Sequence, residues 1–72
     1  MAYFVTVERN YLGSGKLTTH EFKGRSAARK SRECYRSYLD LTAAGDNIAS
    51  IEWWHQDNRL GIDERVMGWE RP

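Results

Sequence analysis

The spacing of hydrophobic positions switches twice along the chain, from two residues to nearly four and back to two. Tyr3, Val5 and Val7 fall on one side of an extended segment and Phe4 and Thr6 on the other. With β-branched and aromatic residues throughout, this predicts a strand with both faces at least partly covered. Two glycines and a serine in Asn10-Tyr11-Leu12-Gly13-Ser14-Gly15 predict a turn with a rather long tip. Lys16 to Lys23 predicts the return strand, with Thr18, His20 and Phe22 on one face and Leu17, Thr19 and Glu21 on the other. Phe22 is then the expected anchor to the element that follows.

From Ser26 the period lengthens. At 100° per residue Ala27, Ala28, Ser31, Cys34, Tyr35, Tyr38, Leu39, Leu41 and Thr42 gather on one side, and Arg29, Arg32, Glu33, Arg36 and Asp40 on the other. A helix to about Ala44 is predicted, with Ser26 as N-cap and Gly45 as the left-handed residue that ends it. Its inner side is small early and bulky late. That taper lets the first turn lie close to a sheet while Tyr35, Tyr38 and Leu41 fill the wider end, and it buries Cys34 as a small hydrophobe.

Alternation resumes at Ile48, placing Ile51 and Trp53 on one face and Glu52 and Trp54 on the other. Gln56-Asp57-Asn58-Arg59 predicts a polar turn, and Leu60, Ile62 and Val66 mark a fourth strand to Met67, after which residues 68–72 extend the strand or leave the sheet. The expected architecture is α+β over residues 1–72 as a single domain: an antiparallel sheet of about four strands with one helix packed on one face, in the order ββαββ.

Composition narrows the function classes. Seventy-two residues allow one core and no second domain, and nothing approaches the roughly 20 apolar residues of a membrane span. A single cysteine and an N-terminus without a signal-peptide pattern lead to the expectation of a reducing, cytoplasmic location. Net charge is only +1, but eight Lys or Arg stand against four Asp or Glu through Asp40, and three against six after it. Such asymmetry is a hint of an electrostatic partner or of self-association.

Candidate chemistry is sparse. His20, His55 and Cys34 are not spaced as metal ligands, Cys34 sits on the inner helix side away from an activating base, and the carboxylates at Glu52, Asp57, Asp63, Glu64 and Glu70 are scattered. No catalytic residue, metal or cofactor is expected. Gly13-Ser14-Gly15-Lys16 is too short for a phosphate-binding loop and leads into a strand. The positive signals lie elsewhere. Arg29, Arg32 and Arg36, at i, i+3 and i+7, form a guanidinium stripe flanked by Arg25 and Lys30, suited to phosphates or carboxylates. Glu33 and Asp40, one turn beyond Arg29 and Arg36, offer intrahelical pairing that competes with this role. Of the adjacent Trp53 and Trp54 one must leave the helix-covered side; if Trp53 packs in the core beside Ile51, Trp54 stands on the open sheet face with Phe4, and Trp69 is a candidate third ring. Such a cluster fits a protein interface, a stacking platform or a homodimer contact.

The layout resembles small phage-encoded proteins, in particular anti-CRISPR inhibitors of type I systems that have a short antiparallel sheet with one helix. Tyr3-Phe4-Val5-Thr6-Val7-Glu8, the joint Phe22-Lys23-Gly24-Arg25-Ser26-Ala27-Ala28 and the Ile51-Glu52 strand with its hairpin carry the likeness. Similar joints occur in arm-type DNA-binding domains of integrases. The resemblance implies a protein that occupies a surface of a larger host complex, such as a CRISPR surveillance complex, while the balanced charge departs from strongly acidic DNA mimics. The expected function is therefore a noncatalytic binding protein that contacts a host protein or nucleoprotein complex through the helix stripe of Arg25, Arg29, Lys30, Arg32 and Arg36 or through the open sheet face bearing Trp54. The alternative is a small DNA- or RNA-binding protein that contacts phosphates through the basic helix face.

Overall fold

The computed structural model describes residues 1–11 and 14–72. Its elements are β1 (Ala2–Tyr11), β2 (Ser14–Lys23), α1 (Ala27–Ala43), β3 (Ile48–Asp57) and β4 (Ile62–Glu70), with the sheet ordered β2-β1-β3-β4 and every neighbouring pair antiparallel. The expected α+β fold of order ββαββ is what forms. Because β2 and β3 flank β1 and run parallel to each other, the chain between them must cross the sheet, and α1 is that crossover. The first hairpin ladder extends to the Tyr11–Ser14 pair, further than expected, and the expected tip residues Leu12 and Gly13 lie outside the described residues.

Register decides which side chains the helix covers. Val5 faces His20 and Trp53 across its two ladders, Val7 faces Thr18 and Ile51, and Tyr3 faces Phe22 and His55. Val5, Val7, Ile48, Ile51, Trp53 and Tyr35 form the core, with Tyr3, Phe22, Cys34, Tyr38, Leu39 and Trp69 packed around it. Phe22 thus anchors β2 as expected. Trp69 does not join the open face: it lies opposite Ile51, so the alternation of β4 turns it toward the helix. The taper of α1 is present, since Ala27 and Ser31 are fully buried against the sheet and Tyr35 and Tyr38 follow. Ala28 and Leu41 are exposed, because the arc in contact with the sheet is narrower than the apolar stripe.

The helix starts after Ser26 but not by the expected mechanism. Ser26 has φ −97° and ψ 8°, outside the extended region from which a cap hydroxyl reaches the first-turn amides, and it makes no side-chain cap bond. The C-terminus is as expected. Gly45 adopts φ 92°, its amide donates to the Thr42 carbonyl at 3.1 Å and that of Asp46 to Leu41 at 2.9 Å, which is a Schellman arrangement. This turn places Asp46 against Arg9, 3.3 Å away, with the Arg9 guanidinium also over the Tyr38 ring. The hydrogen bond to Asp46 raises the Arg9 pKa above its ordinary value.

The second turn falls two residues later than the sequence pattern suggested. The Asp57 carboxylate accepts the Arg59 amide at 3.0 Å and Gly61 supplies φ 65°, so β3 runs on to Asp57 and Leu60 sits exposed in the turn and not in a strand. β4 then continues to Glu70. Between Trp53 and Trp54 the β3–β4 register shifts: Trp53 faces Met67 and Trp54 faces Arg65, leaving Val66 as the extra residue of a bulge. Among the described residues no helix is long and apolar enough to cross a membrane.

Candidate functional site

The helix packs across β1, β3 and β2, while β4 lies at the margin of its footprint. A groove therefore opens between α1 and β4. Its first part, about 610 Å³, is bounded by Tyr3, Ala28, Arg29, Arg32, Trp53, His55, Glu64, Arg65 and Val66. Its continuation, about 230 Å³, is bounded by Arg32, Tyr35, Arg36, Leu39, Trp53 and Met67. Arg32 and Trp53 border both, so the two depressions adjoin as a trough along the helix from Ala28 to Leu39, a rise of about 16 Å.

The arginine stripe forms one wall of this trough. Spacing of i, i+3 and i+7 lines Arg29, Arg32 and Arg36 along the helix flank that looks toward β4. The intrahelical pairs expected for Arg29 with Glu33 and Arg36 with Asp40 do not form. Ion pairs among the described residues join Arg9 to Asp46, Lys23 to Glu21 and Arg65 to Glu52. Arg29, Arg32 and Arg36 instead border the groove. Arg25 precedes the helix and borders a separate depression with Met1, Gly24, Asp57 and Arg59, and Lys30 is exposed on the helix.

The groove floor is aromatic. Trp53, only 8% exposed, lies 5.6 Å from the Tyr35 ring, and its indole N–H donates to Ser31 Oγ at 3.0 Å. Ser31 in turn donates to the Ala28 carbonyl at 3.0 Å, which explains a fully buried serine on a helix packed against a sheet. Burial raises the pKa of the Tyr35 phenol, keeping it neutral, and does the same to the half-buried Cys34 thiol, which is thereby held in its unreactive form. His55 stacks on Tyr3 with ring centroids 4.5 Å apart, and its Nε2 is buried with no hydrogen-bond partner. An unpaired buried polar atom costs about 1–3 kcal/mol, so His55→Phe, which keeps the stack, is expected to raise stability by about 1 kcal/mol in urea denaturation. A loss of stability instead would show that Nε2 has a partner in solution.

Val66 and Met67 supply the far wall, at 40% and 54% exposure. Neither was singled out by sequence pattern as a site residue. The signal was the adjacent apolar pair itself, which breaks strict alternation where the bulge occurs.

Trp54 sits elsewhere. It faces Phe4 on the open side of the sheet, where the two rings share a shallow depression of about 370 Å³ with Thr6, Thr19, Gln56 and Asp63. The register puts Glu8, Glu21, Glu52, Asp63 and Glu70 on this face against Lys23 and Arg65. Arg65 reaches across Gly68 to bond Glu52 at 2.6 Å, which raises its own pKa. The expected site residues are thus divided between a basic helix layer and a mostly acidic sheet face.

Among the described residues no group of three or more His, Cys, Asp and Glu side chains is placed to hold a metal ion. No protein-family model matches this chain, and neither curated proteins nor solved structures offer a match.

Proposed function

We propose that this chain is a noncatalytic binding protein that occupies an acidic surface of a host protein or nucleoprotein complex through the Arg29-Arg32-Arg36 wall of the groove. The observation that carries the reading is that Arg29, Arg32 and Arg36 all border an open, apolar-floored trough while the ion pairs among the described residues join other side chains. Unpaired arginines at such a trough can each form charge-assisted, bidentate bonds to a partner's carboxylates. The layout likeness to phage-encoded anti-CRISPR inhibitors agrees with a role of this kind and supplies a first partner to test, a type I CRISPR surveillance complex.

A triple charge reversal, Arg29→Glu, Arg32→Glu and Arg36→Glu, is expected to leave the fold intact by circular dichroism, since all three positions are exposed. It should weaken capture of the partner from nuclease-treated host lysate at least a hundredfold. Capture unchanged by the reversal would remove the helix wall from the site.

The runner-up is nucleic-acid binding by the same stripe, favoured by its freedom from intrahelical pairing. It requires a gel shift with DNA or RNA at low salt that fades steeply as salt rises. No shift at low salt excludes it.

A further inference from the structure

We infer that the trough between α1 and β4 receives an acidic amphipathic helix of a partner protein, its carboxylates on the arginine wall and its apolar side chains against Tyr35, Leu39, Val66 and Met67. This rests on the binding reading above and specifies which element of the partner is held. Dimensions fit such an occupant. A trough of about 16 Å corresponds to roughly three helical turns, or about eleven residues. Arg29, Arg32 and Arg36 recur at the i, i+3, i+7 spacing at which one flank of a second helix presents carboxylates.

Charge and polarity choose between classes of occupant. A nucleic-acid strand needs ring faces for its bases, but Trp53 is largely buried under the helix and Tyr3 already stacks on His55. The wall opposite the arginines is Val66 and Met67, with Glu64 and Arg65 beside them and Arg65 paired to Glu52, a lining that accepts apolar side chains and adds little to hold a phosphate backbone. The other face of the sheet is mostly acidic and offers a polyanion no continuation of the basic surface. An added β-strand along β4 is disfavoured as well. The bulge at Val66 interrupts that edge, a feature that commonly blocks strand addition. What remains is an occupant that satisfies its own backbone and binds by side chains, which is a helix.

The same surface explains an otherwise unfavourable exposure. Val66 and Met67 are adjacent, apolar and solvent-facing in a domain too small to spare hydrophobic area. Covering them against apolar side chains returns that area to a core-like setting, and the arginine wall fixes the direction in which the incoming helix lies.

The test uses the full chain and a synthetic amphipathic helix of about three turns, with Glu on one flank and Leu on the other. Its controls are the same peptide with Lys for Glu, and a single-stranded oligonucleotide. Amide and arginine side-chain NMR shifts should change for Arg29, Arg32, Arg36, Tyr35, Leu39, Val66 and Met67 with the Glu peptide and not with the Lys peptide. Met67→Glu, at an exposed position, should abolish those changes while leaving the remainder of the spectrum in place. Shifts that map instead to Phe4 and Trp54, or an absence of binding by the Glu peptide, overturn the inference, and an oligonucleotide that binds the trough more tightly replaces it with the nucleic-acid reading. The two proposals also separate in host lysate. If Met67→Glu retains the partner while the triple arginine reversal loses it, the helix-in-trough inference falls and the binding function stands; if both retain it, both fall.

Discussion

Trp53→Ala is expected to lower the unfolding free energy by about 3–5 kcal/mol, whereas Trp54→Ala, one residue along the same strand, should lower it by about 1 kcal/mol. The asymmetry follows from the pleat. Trp53 points under the helix, where it contacts Tyr35 and Tyr3 and donates its indole N–H to Ser31; Trp54 points to the open face, where it meets Phe4. Removing Trp53 therefore leaves a cavity at the junction of α1 with β1 and β3, with little chance of collapse because strands on both sides are fixed by their ladders. A domain of this length has a total stability of about 4–11 kcal/mol, so the first variant should be largely unfolded at 37 °C or melt far below the parent. Urea denaturation of the two variants beside the parent decides it. Equal losses would mean that the two rings share the buried side, contrary to the β1–β3 register.

The alternation that separates these two tryptophans was legible in the sequence because each strand has one covered face. Val5, Val7, Ile51 and Trp53 obey a period of two without interruption and land together in the core. The helix was legible for the same reason: a period near four places Ala27, Ser31 and Tyr35 on one line, and Gly45 marks its end. Legibility fails where local chemistry competes with pattern. The second turn moved because Asp57 bonds the Arg59 amide and Gly61 takes the left-handed conformation, both of which outweigh the preference of Leu60 for a strand. Ser26 marks the helix start by type, yet its backbone angles keep its hydroxyl from acting as a cap.

The candidate site was half legible. Residue spacing alone grouped Arg29, Arg32 and Arg36, since side chains on one helix define a stripe without knowledge of the fold. What the stripe faces depends on how far the helix is displaced across the sheet, and that displacement leaves β4 at its margin. Val66 and Met67 therefore become a wall only when the register of β4, with its bulge, is known. Trp54 stands on the open face as the alternation implies, and the helix stripe and that face, offered by the sequence as alternative binding surfaces, lie on opposite sides of the sheet.

The second large effect is expected at Ser31, the only fully buried polar side chain among the described residues. Ser31→Ala removes the acceptor of the Trp53 indole N–H and leaves that donor buried, at a cost of about 1–3 kcal/mol. Ser31→Leu removes the same acceptor and adds volume where the helix sits closest to the sheet, which contributes about 1–3 kcal/mol more from overpacking. The second variant should therefore be less stable than the first even though it adds apolar area, a result opposite in sign to hydrophobicity alone. Thermal melts and urea titrations of both variants test the order; Leu at or above the stability of Ala would show that the first helical turns are not held against β3. The indole bond also fixes the Trp53 ring as the floor of the trough, so Ser31→Ala should weaken binding of the Glu-flanked peptide in parallel with its loss of stability. Binding that is insensitive to Ser31 would locate the affinity in the arginine wall alone and reduce the floor to support.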